Sequence, residues 1–195
     1  EKPTGAVRVD VQDGQPSYSI LPDQAYDAIE RPDFPISAQQ FSLLYVGSLA
    51  YRQDPSRATI RYLIENSALP RVVDVNIRQP WFRREWLSQL FQGACWIKLN
   101  DEELAWISER DCDSDNSVRH AVRQLQSEFG PAHYFVTCGA QGAYSVGHTG
   151  ELCFQPATSP DPLRDTVGAG DAFAAATIVG LHRELAIDQI LRNAV

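Results

Sequence analysis

The chain has little sulfur and no long hydrophobic run. Its 195 residues include no methionine and four cysteines, and the cysteines form no Cys-x-x-Cys pair. The four histidines show no metal-ligand spacing either. The cysteines and histidines together therefore suggest neither a common zinc site nor a disulfide framework. No apolar stretch has the length of a membrane helix, and no signal peptide is visible. We therefore expect a cytoplasmic protein with no membrane partner.

Positive charge is also scarce. The chain carries 17 Lys and Arg residues against 25 Asp and Glu residues, which gives a formal net charge of −8. No basic cluster offsets this balance, so we expect no nucleic-acid partner. An anionic ligand must then meet positive charge that is concentrated locally, at helix amino termini, Arg78, Lys98 or a metal ion. The sequence also lacks Gly-Lys-Ser and Gly-Lys-Thr, which argues against a P-loop kinase.

From Phe41 onwards, strand-like and helical segments alternate. This alternation predicts an α/β fold with a largely parallel sheet that helices cover on both faces. A further hairpin follows the last parallel strand. Apolar runs and stripes predict strands at 42–46, 71–75, 95–99 and 133–137, helices at 101–108, 118–129 and from about 169, and the hairpin at 143–155.

Residues 6–20 have the pattern of a separate β-hairpin. Val7, Val9 and Val11 alternate with polar residues, and a turn follows at Asp13-Gly14. Asp-Gly between alternating segments is a strong hairpin signal. We therefore divide the chain into residues 1–40, which hold the hairpin and a connection, and residues 41–195, the α/β core. The pattern alone favours an ordinary edge hairpin.

The most informative segment is Asp-Thr-Val-Gly-Ala-Gly-Asp at residues 165–171. An uncharged run follows it, which predicts a buried helix that begins near Ala169. The first amides of such a helix have no internal acceptors and carry partial positive charge, so they can hold a phosphate. Asp171 lies in the same turn and can take a proton from a hydroxyl, a combination that suits phosphoryl transfer. The other interpretation is a plain turn that packs a helix onto a strand.

Three further motifs follow predicted strands. Asn100 and Glu103 stand three residues apart at the start of a helix, where they fit either a capping box or a ligand site. Asp-x-Asn-x-Arg occupies residues 74–78, just past a strand end where open α/β sheets bind ligands. Its Arg78 is either a ligand for oxygen anions or a surface arginine. Thr-x-Gly-x-x-Gly, a weak pattern alone, spans residues 137–142.

In this order and spacing, the four motifs resemble those of the PfkB (ribokinase-like) carbohydrate kinases, and most closely the fructokinases. The resemblance implies an α/β ribokinase-like three-layer sandwich with a mostly parallel sheet and a small β lid. It also implies ATP-dependent phosphorylation of a sugar hydroxyl, and the likeness to fructokinases favours fructose as that sugar. The alternatives are a ketodeoxygluconate or nucleoside kinase of the same family, or a non-catalytic nucleotide-binding protein.

The resemblance also implies roles for individual residues. Asp171 would be the base, and the turn at Gly168, Ala169 and Gly170 would hold the transferred phosphoryl group. Asn100 and Glu103 would organise Mg²⁺ through water. Asp165 and Val167 would hold a monovalent cation such as K⁺. The residues implied for the ATP site are Asn76, Arg78, Lys98, Asn100, Glu103, Thr137, Gly139 and Gly142.

The resemblance is incomplete at both ends. Nothing in the chain matches the family's amino-terminal glycine-rich strand, which brings sugar contacts, or the segment after the terminal signature that closes on adenine. The hairpin at 6–20 resembles the strands of the family's lid, which implies a cover over the sugar and a homodimer formed through the lid. We therefore expect this chain to carry the phosphoryl-transfer centre of a family member with part of its lid.

Overall fold

The computed structural model describes residues 1–12, 15–158 and 167–195. Two sheets form in these residues, one of two strands and one of six. The turn at Asp13-Gly14, and Asp165 with the first part of the terminal signature, lie outside the described residues. No helix in the described ranges is long and apolar enough to cross a bilayer.

The large sheet carries its strands in sequence order. Its first four strands are parallel, and the last two continue it as an antiparallel hairpin. Parallel strands place all their carboxyl ends at one edge, which is where this fold class binds ligands. The strands are β3 (Leu44–Gly47), β4 (Arg71–Asp74), β5 (Trp96–Asn100), β6 (His133–Thr137), β7 (Gly142–Val146) and β8 (Leu152–Pro156).

Helices connect the parallel strands and follow the hairpin. Helix α3 begins directly where β5 ends, so that no loop separates the last strand residue from the first helical one. Helix α4 buries one apolar stripe and is capped after its last residue by Gly130, whose φ of 107° few other residues adopt. The helices are α1 (Ser56–Asn66), α2 (Leu87–Phe91), α3 (Asp101–Ser108), α4 (Asp115–Phe129), α5 (Ala169–His182) and α6 (Ile187–Ala194).

Apolar side chains cover both faces of the large sheet. Along β6, Tyr134 and Val136 join a large core that also contains buried residues of α2, α3 and α4. Phe135 points to the opposite face and joins a smaller core with Phe173 of α5 and Ile190 of α6. This alternation is the period of two that a strand buried on both faces requires. The predicted α/β sandwich of three layers is confirmed.

Helix α5 differs from its prediction in one respect. It begins at Ala169 as expected, but only one side of it is buried, through residues such as Phe173, Ala174 and Thr177. Val179 is 47% exposed, and Ala172 and Ala175 are exposed as well. The sequence is apolar on all sides, whereas the sheet and α6 cover a single stripe of the helix. The prediction of a buried helix therefore holds for this stripe alone.

The predicted hairpin is confirmed and forms the two-stranded sheet. Strands β1 (Val7–Gln12) and β2 (Gln15–Ile20) pair antiparallel. Val7 and Val9 are 54% and 52% exposed, so this apolar side of β1 is open to solvent. The following connection is tied to the α/β core by Asp27, whose carboxylate accepts two hydrogen bonds of 2.7 Å from Arg52. The hairpin's role as a lid stays a prediction.

Candidate active site

A cavity of about 830 Å³ opens at the carboxyl ends of β4, β5 and β6. It contains residues of all four motifs, which the sequence spreads over almost a hundred positions. Large concave sites at this edge of the sheet are the usual ligand sites of open α/β folds. The predicted site residues that line it are Asn76, Arg78, Lys98, Asn100, Glu103, Thr137, Gly139, Gly142, Ala169 and Gly170.

Glu103 connects two of the motifs. Its Oε1 accepts a 2.6 Å hydrogen bond from the backbone amide of Ile77, and its Oε2 accepts one of 2.9 Å from that of Asn100. In return, Asn100 Oδ1 accepts the Glu103 amide over 2.7 Å. The capping box that the sequence allowed is therefore present. The Ile77 contact adds a function that a capping box lacks, because it fixes the loop after β4 against the start of α3.

The Glu103 carboxylate is buried in the wall of the cavity. Burial raises its pKa above the ordinary value, and the charge of Asp74 adds to this rise. The two amide donors and the nearby Lys98 act in the opposite direction. The pKa of Glu103 is therefore raised because the loss of water outweighs these contacts.

Lys98 extends from β5 into the same cavity and forms an ion pair with Asp74. The distance from Lys98 Nζ to Asp74 Oδ1 is 3.1 Å, and both side chains are almost fully buried. Tyr45 on β3 donates a 2.8 Å hydrogen bond to the other oxygen of Asp74. The sequence prediction named Lys98 as a site residue but gave Asp74 no role beyond its place in the Asp-x-Asn-x-Arg motif, and it missed Tyr45. One signal was available for Asp74, because a carboxylate that ends a buried strand needs a partner.

The amino terminus of α5 lies beside Lys98. Gly168 precedes the helix with a φ of 80°, the left-handed region that favours glycine. A methyl group placed on Gly170 would lie 3.3 Å from Lys98 Nζ, so the ammonium sits close to the first turn. The first amides of a helix have no acceptors inside the helix. An ammonium and a helix amino terminus therefore meet at one point of the cavity wall, which suits an anion.

Asp171 lies on the same first turn but does not line the cavity. Its side chain is exposed. Burial raises the pKa of Tyr45 well above its ordinary value, and the charges of Asp74 and then Asp171 raise it further. Asp171 is thus close enough to the outer strand β3 for its charge to act there. Val167, just before this helix, is 86% exposed, whereas Asp165 lies outside the described residues.

The loop after β6 needs both of its glycines. Gly139 has a φ of 52° and Gly142 a φ of 130°, and both line the cavity. A Cβ on Gly142 would overlap the carbonyl oxygen of Gln155 on β8. Thr137 closes β6 at the same edge. The motif therefore brings backbone, rather than side chains, close to the space in the cavity.

The segment after β4 supplies Asn76 and Arg78. Asn76 has a φ of 40°, in the left-handed region that asparagine tolerates better than most residues. Arg78 is exposed at the cavity, and no carboxylate pairs with it in the part of the chain that the structure describes. Its guanidinium is thus available to an anionic ligand. Trp106 on α3 also lines the cavity and was missed, because nothing distinguishes it in sequence from a surface or core aromatic.

Comparison with known proteins agrees with this geometry. The family model described as pfkB family carbohydrate kinase matches residues 1–195. This chain belongs to the pfkB family. The fructokinase of Klebsiella pneumoniae is 32% identical over an alignment of 191 residues, and the match covers 91% of this chain and 59% of that protein. The chain thus spans about three fifths of the length of this relative.

Solved structures of a ribokinase and a fructokinase show the same fold. Arabidopsis thaliana ribokinase, complexed with ribose and ATP, is similar with a TM-score of 0.76 at 20% identity, over 99% of this chain and 61% of that one. A fructokinase double mutant from Vibrio cholerae, in a form bound to fructose, ADP and a potassium ion, has a TM-score of 0.69 at 23% identity, over 100% and 64% of the two chains. The ribokinase-like fold is confirmed.

Proposed function

We propose that this chain carries the phosphoryl-transfer centre of an ATP-dependent sugar kinase. The observation that supports this most is the meeting of Lys98 and the amino terminus of α5 at one wall of a cavity that all four motifs line. Phosphoryl transfer depends mainly on positioning and on stabilising charge, and this wall supplies both. Membership of the pfkB family agrees with the proposal.

The nucleotide phosphates occupy the cavity in this proposal. Lys98 and Arg78 provide positive charge, and the amides of Ala169 and Gly170 donate hydrogen bonds to the transferred group. The loop with Gly139 and Gly142 allows backbone to approach the nucleotide closely. Each of these residues lines the cavity. The arrangement concentrates positive charge in a protein whose formal net charge is −8.

The residues present also fit a magnesium ion that is held mainly by phosphates and water. Mg²⁺ usually keeps several waters and takes only one or two protein carboxylates. Glu103 is such a carboxylate, since each of its oxygens accepts one amide and retains a lone pair. No group of three or more acidic, His or Cys side chains forms a protein-only metal cage within the described ranges. Bound in this way, Mg²⁺ would neutralise phosphate charge, while Glu103 and Asn100 orient its waters.

Asp171 acts as the general base towards the sugar. Its carboxylate takes the proton of the acceptor hydroxyl as that oxygen bonds to the γ-phosphorus, and the bond from phosphorus to the bridging oxygen of ADP breaks. In this proposal the acceptor sugar binds on the side of the phosphoryl group opposite to ADP, within reach of Asp171 on the first turn of α5. That arrangement agrees with an in-line transfer.

Two further roles belong to the proposal. Strands β1 and β2 form a lid over the sugar, and their exposed Val7 and Val9 meet the ligand or a second subunit. Asp165 and the Val167 carbonyl hold a monovalent cation such as K⁺ next to the turn before α5. The potassium ion of the Vibrio cholerae fructokinase structure supports this second role.

Fructose is the sugar we propose, because several curated relatives are fructokinases, at 32% and 30% identity for two of them. The test is a panel of fructose, ribose, ketodeoxygluconate and a nucleoside, each given to the full-length protein with ATP and Mg²⁺, and followed by ADP release and phosphosugar analysis. Asp171→Asn is the control for contaminating kinases.

Phosphorylation of fructose above the other acceptors would support the whole proposal. Preference for another acceptor would replace the substrate but retain the reaction. ATP binding by calorimetry without turnover on any acceptor would contradict the kinase assignment and favour a non-catalytic nucleotide-binding protein.

A further inference from the structure

Asp74 and Lys98 are paired by the register of the sheet. Their Cα atoms are partners across the parallel strands β4 and β5, so their side chains leave the same face. On the other side of β5, Lys98 is the partner of Phe135 on β6, and Phe135 packs against Phe173 of α5. Helix α5 therefore covers the face of the sheet that carries Asp74 and Lys98. The Asp74 side chain is 2% exposed and that of Lys98 is 9% exposed. The fold therefore places this ion pair directly beneath the amino terminus of α5.

Asp74 is fixed by two donors, one on each oxygen. Lys98 Nζ contacts Oδ1 at 3.1 Å, and Tyr45 Oη donates to Oδ2 at 2.8 Å. Two directional contacts on opposite oxygens hold the plane of a carboxylate as well as its position. Tyr45 thus fixes Asp74, and Asp74 in turn limits where the Lys98 ammonium can lie.

The Lys98 ammonium retains donors for a ligand. An ammonium has three N–H groups. Asp74 is the acceptor of one of them, and no second acceptor contacts Lys98 in the part of the chain that the structure describes. Lys98 also lines the cavity and lies near Gly170. The remaining donors are therefore close to the place where a transferred phosphoryl group is proposed to lie.

We propose that Asp74 is a positioning residue for phosphoryl transfer and acts through Lys98. This inference rests on the proposed function. A lysine is a point charge on a flexible stem, and it stabilises developing charge best when its position is set in advance. A displacement of about 1 Å in a positioned group can reduce a rate by roughly 10²-fold. Asp74 prevents such a displacement, and Tyr45 supports Asp74 from the outer strand.

A stabilising ion pair alone would be a weaker explanation. Buried ion pairs contribute little net stability compared with apolar pairs of the same size, because both charges lose their water. Lys98 of this pair also lines the cavity, whereas neither Asp27 nor Arg52 does. Asp27 therefore provides a matched control, as a second buried carboxylate that is paired with a cation away from the phosphates.

The test is a double-mutant cycle in the full-length protein with Asp74→Asn, Lys98→Met and both together. We measure ATP affinity by calorimetry and turnover with the best acceptor, beside a thermal melt of each variant. Asp74→Asn is expected to lower kcat/KM for ATP by roughly 10²-fold. The loss should vanish when Lys98 is already Met, because Asp74 then has nothing to position. Asp27→Asn should lower the melting temperature and leave ATP affinity unchanged.

Tyr45→Phe provides a second, milder variant if Asp74→Asn does not fold. It should lower turnover less than Asp74→Asn does, and again only when Lys98 is present. The inference would be overturned if Asp74→Asn lowered kcat/KM for ATP equally with and without Lys98. It would also be overturned if Asp74→Asn kept the ATP affinity and turnover of the wild type. If the wild-type protein bound ATP but phosphorylated no acceptor, the proposed function would be overturned instead. The same double-mutant cycle, measured by ATP affinity, would still test whether Asp74 acts through Lys98.

Discussion

Glu103 Oε1 accepts the backbone amide of Ile77 over 2.6 Å, across 26 positions of sequence. This contact joins the loop that carries Asn76 and Arg78 to the start of α3. It acts beside a 3.4 Å hydrogen bond from Ser48 Oγ to the carbonyl of Asn76, a residue that adopts a φ of 40°. One carboxylate thus organises two of the motifs that line the cavity.

This arrangement leads to a prediction for Glu103→Gln. The variant keeps the size of the side chain but loses one amide contact and the charge near the proposed Mg²⁺. We expect a higher Mg²⁺ concentration for half-maximal rate, and a loss of about 0.5–2 kcal/mol in the free energy of unfolding, the usual range for a lost cap. Titrations of rate against Mg²⁺, beside denaturant unfolding, measure both effects.

Ser114→Ala is the matched control for Glu103→Gln. Ser114 forms a capping box with Ser117 at the start of α4, away from the cavity. Its loss should cost similar stability without any change in the Mg²⁺ dependence. If the two variants behave alike in the Mg²⁺ titration, Glu103 has a structural role only.

Asp171→Asn tests the proposed base. An amide of the same shape cannot accept the hydroxyl proton, so kcat should fall by roughly 10²–10⁴-fold, the usual contribution of a general base. ATP affinity should change little, because Asp171 does not line the cavity. Steady-state kinetics and calorimetry separate the two quantities. A variant with near-normal turnover would remove Asp171 from the mechanism.

His133 gives a prediction about acid stability. Its Nε2 lies 2.7 Å from Ser145 Oγ, and burial lowers the pKa of His133 from 6.5 to about 4. The unfolded chain therefore binds a proton between pH 6.5 and 4 that the folded chain does not. The free energy of unfolding should fall by roughly 1–3 kcal/mol as the pH falls through this window.

The pH effect is isolated by comparing variants. His133→Gln retains a donor for Ser145 but does not titrate, so the part of the acid sensitivity that His133 causes should disappear. His120→Gln removes an exposed histidine and should leave the curve unchanged. Chemical denaturation at several pH values gives the comparison. If wild type and His133→Gln lose stability in parallel, the half-buried imidazole of His133 does not contribute.

Deletion of residues 6–20 tests the proposed lid. A cover over the sugar excludes water, which otherwise competes with the sugar hydroxyl for the phosphoryl group. The deletion should raise the KM for sugar and increase ATP hydrolysis in the absence of sugar. Val7→Thr with Val9→Thr is the milder variant, because both side chains are exposed on the intact hairpin. If sugar affinity and ATP hydrolysis do not change, the hairpin is an ordinary edge hairpin and not a lid.

The elements that the sequence predicted best have strong local signals. Helix Asp101–Ser108 and strand His133–Thr137 agree with their predictions to the residue, since a capping box defines the one and an apolar run before a glycine loop defines the other. Residues of all four motifs line one cavity, because parallel strands share one carboxyl edge.

What the sequence missed depends on contacts between distant segments. The bond from Tyr45 to Asp74 needs the register of β3 against β4, which no local pattern specifies. The open side of α5 was missed for a similar reason, because a helix that is apolar all round does not reveal how much of it is covered. Both features follow from the packing of the sheet rather than from local propensity.

The two cores on opposite faces of the sheet have a consequence for ligand binding. Glu103 belongs to α3, which packs into the large core, whereas Ala169 and Gly170 begin the helix of the small core. A nucleotide bound as proposed would therefore bridge two layers that lie on opposite faces of the sheet. Such a ligand acts as a cross-link, and at about 100 times its Kd it would add roughly 2.7 kcal/mol to the free energy of unfolding. We expect the layer with the smaller core to be stabilised most. Added ATP should therefore slow amide exchange more in α5 and α6 than in α4.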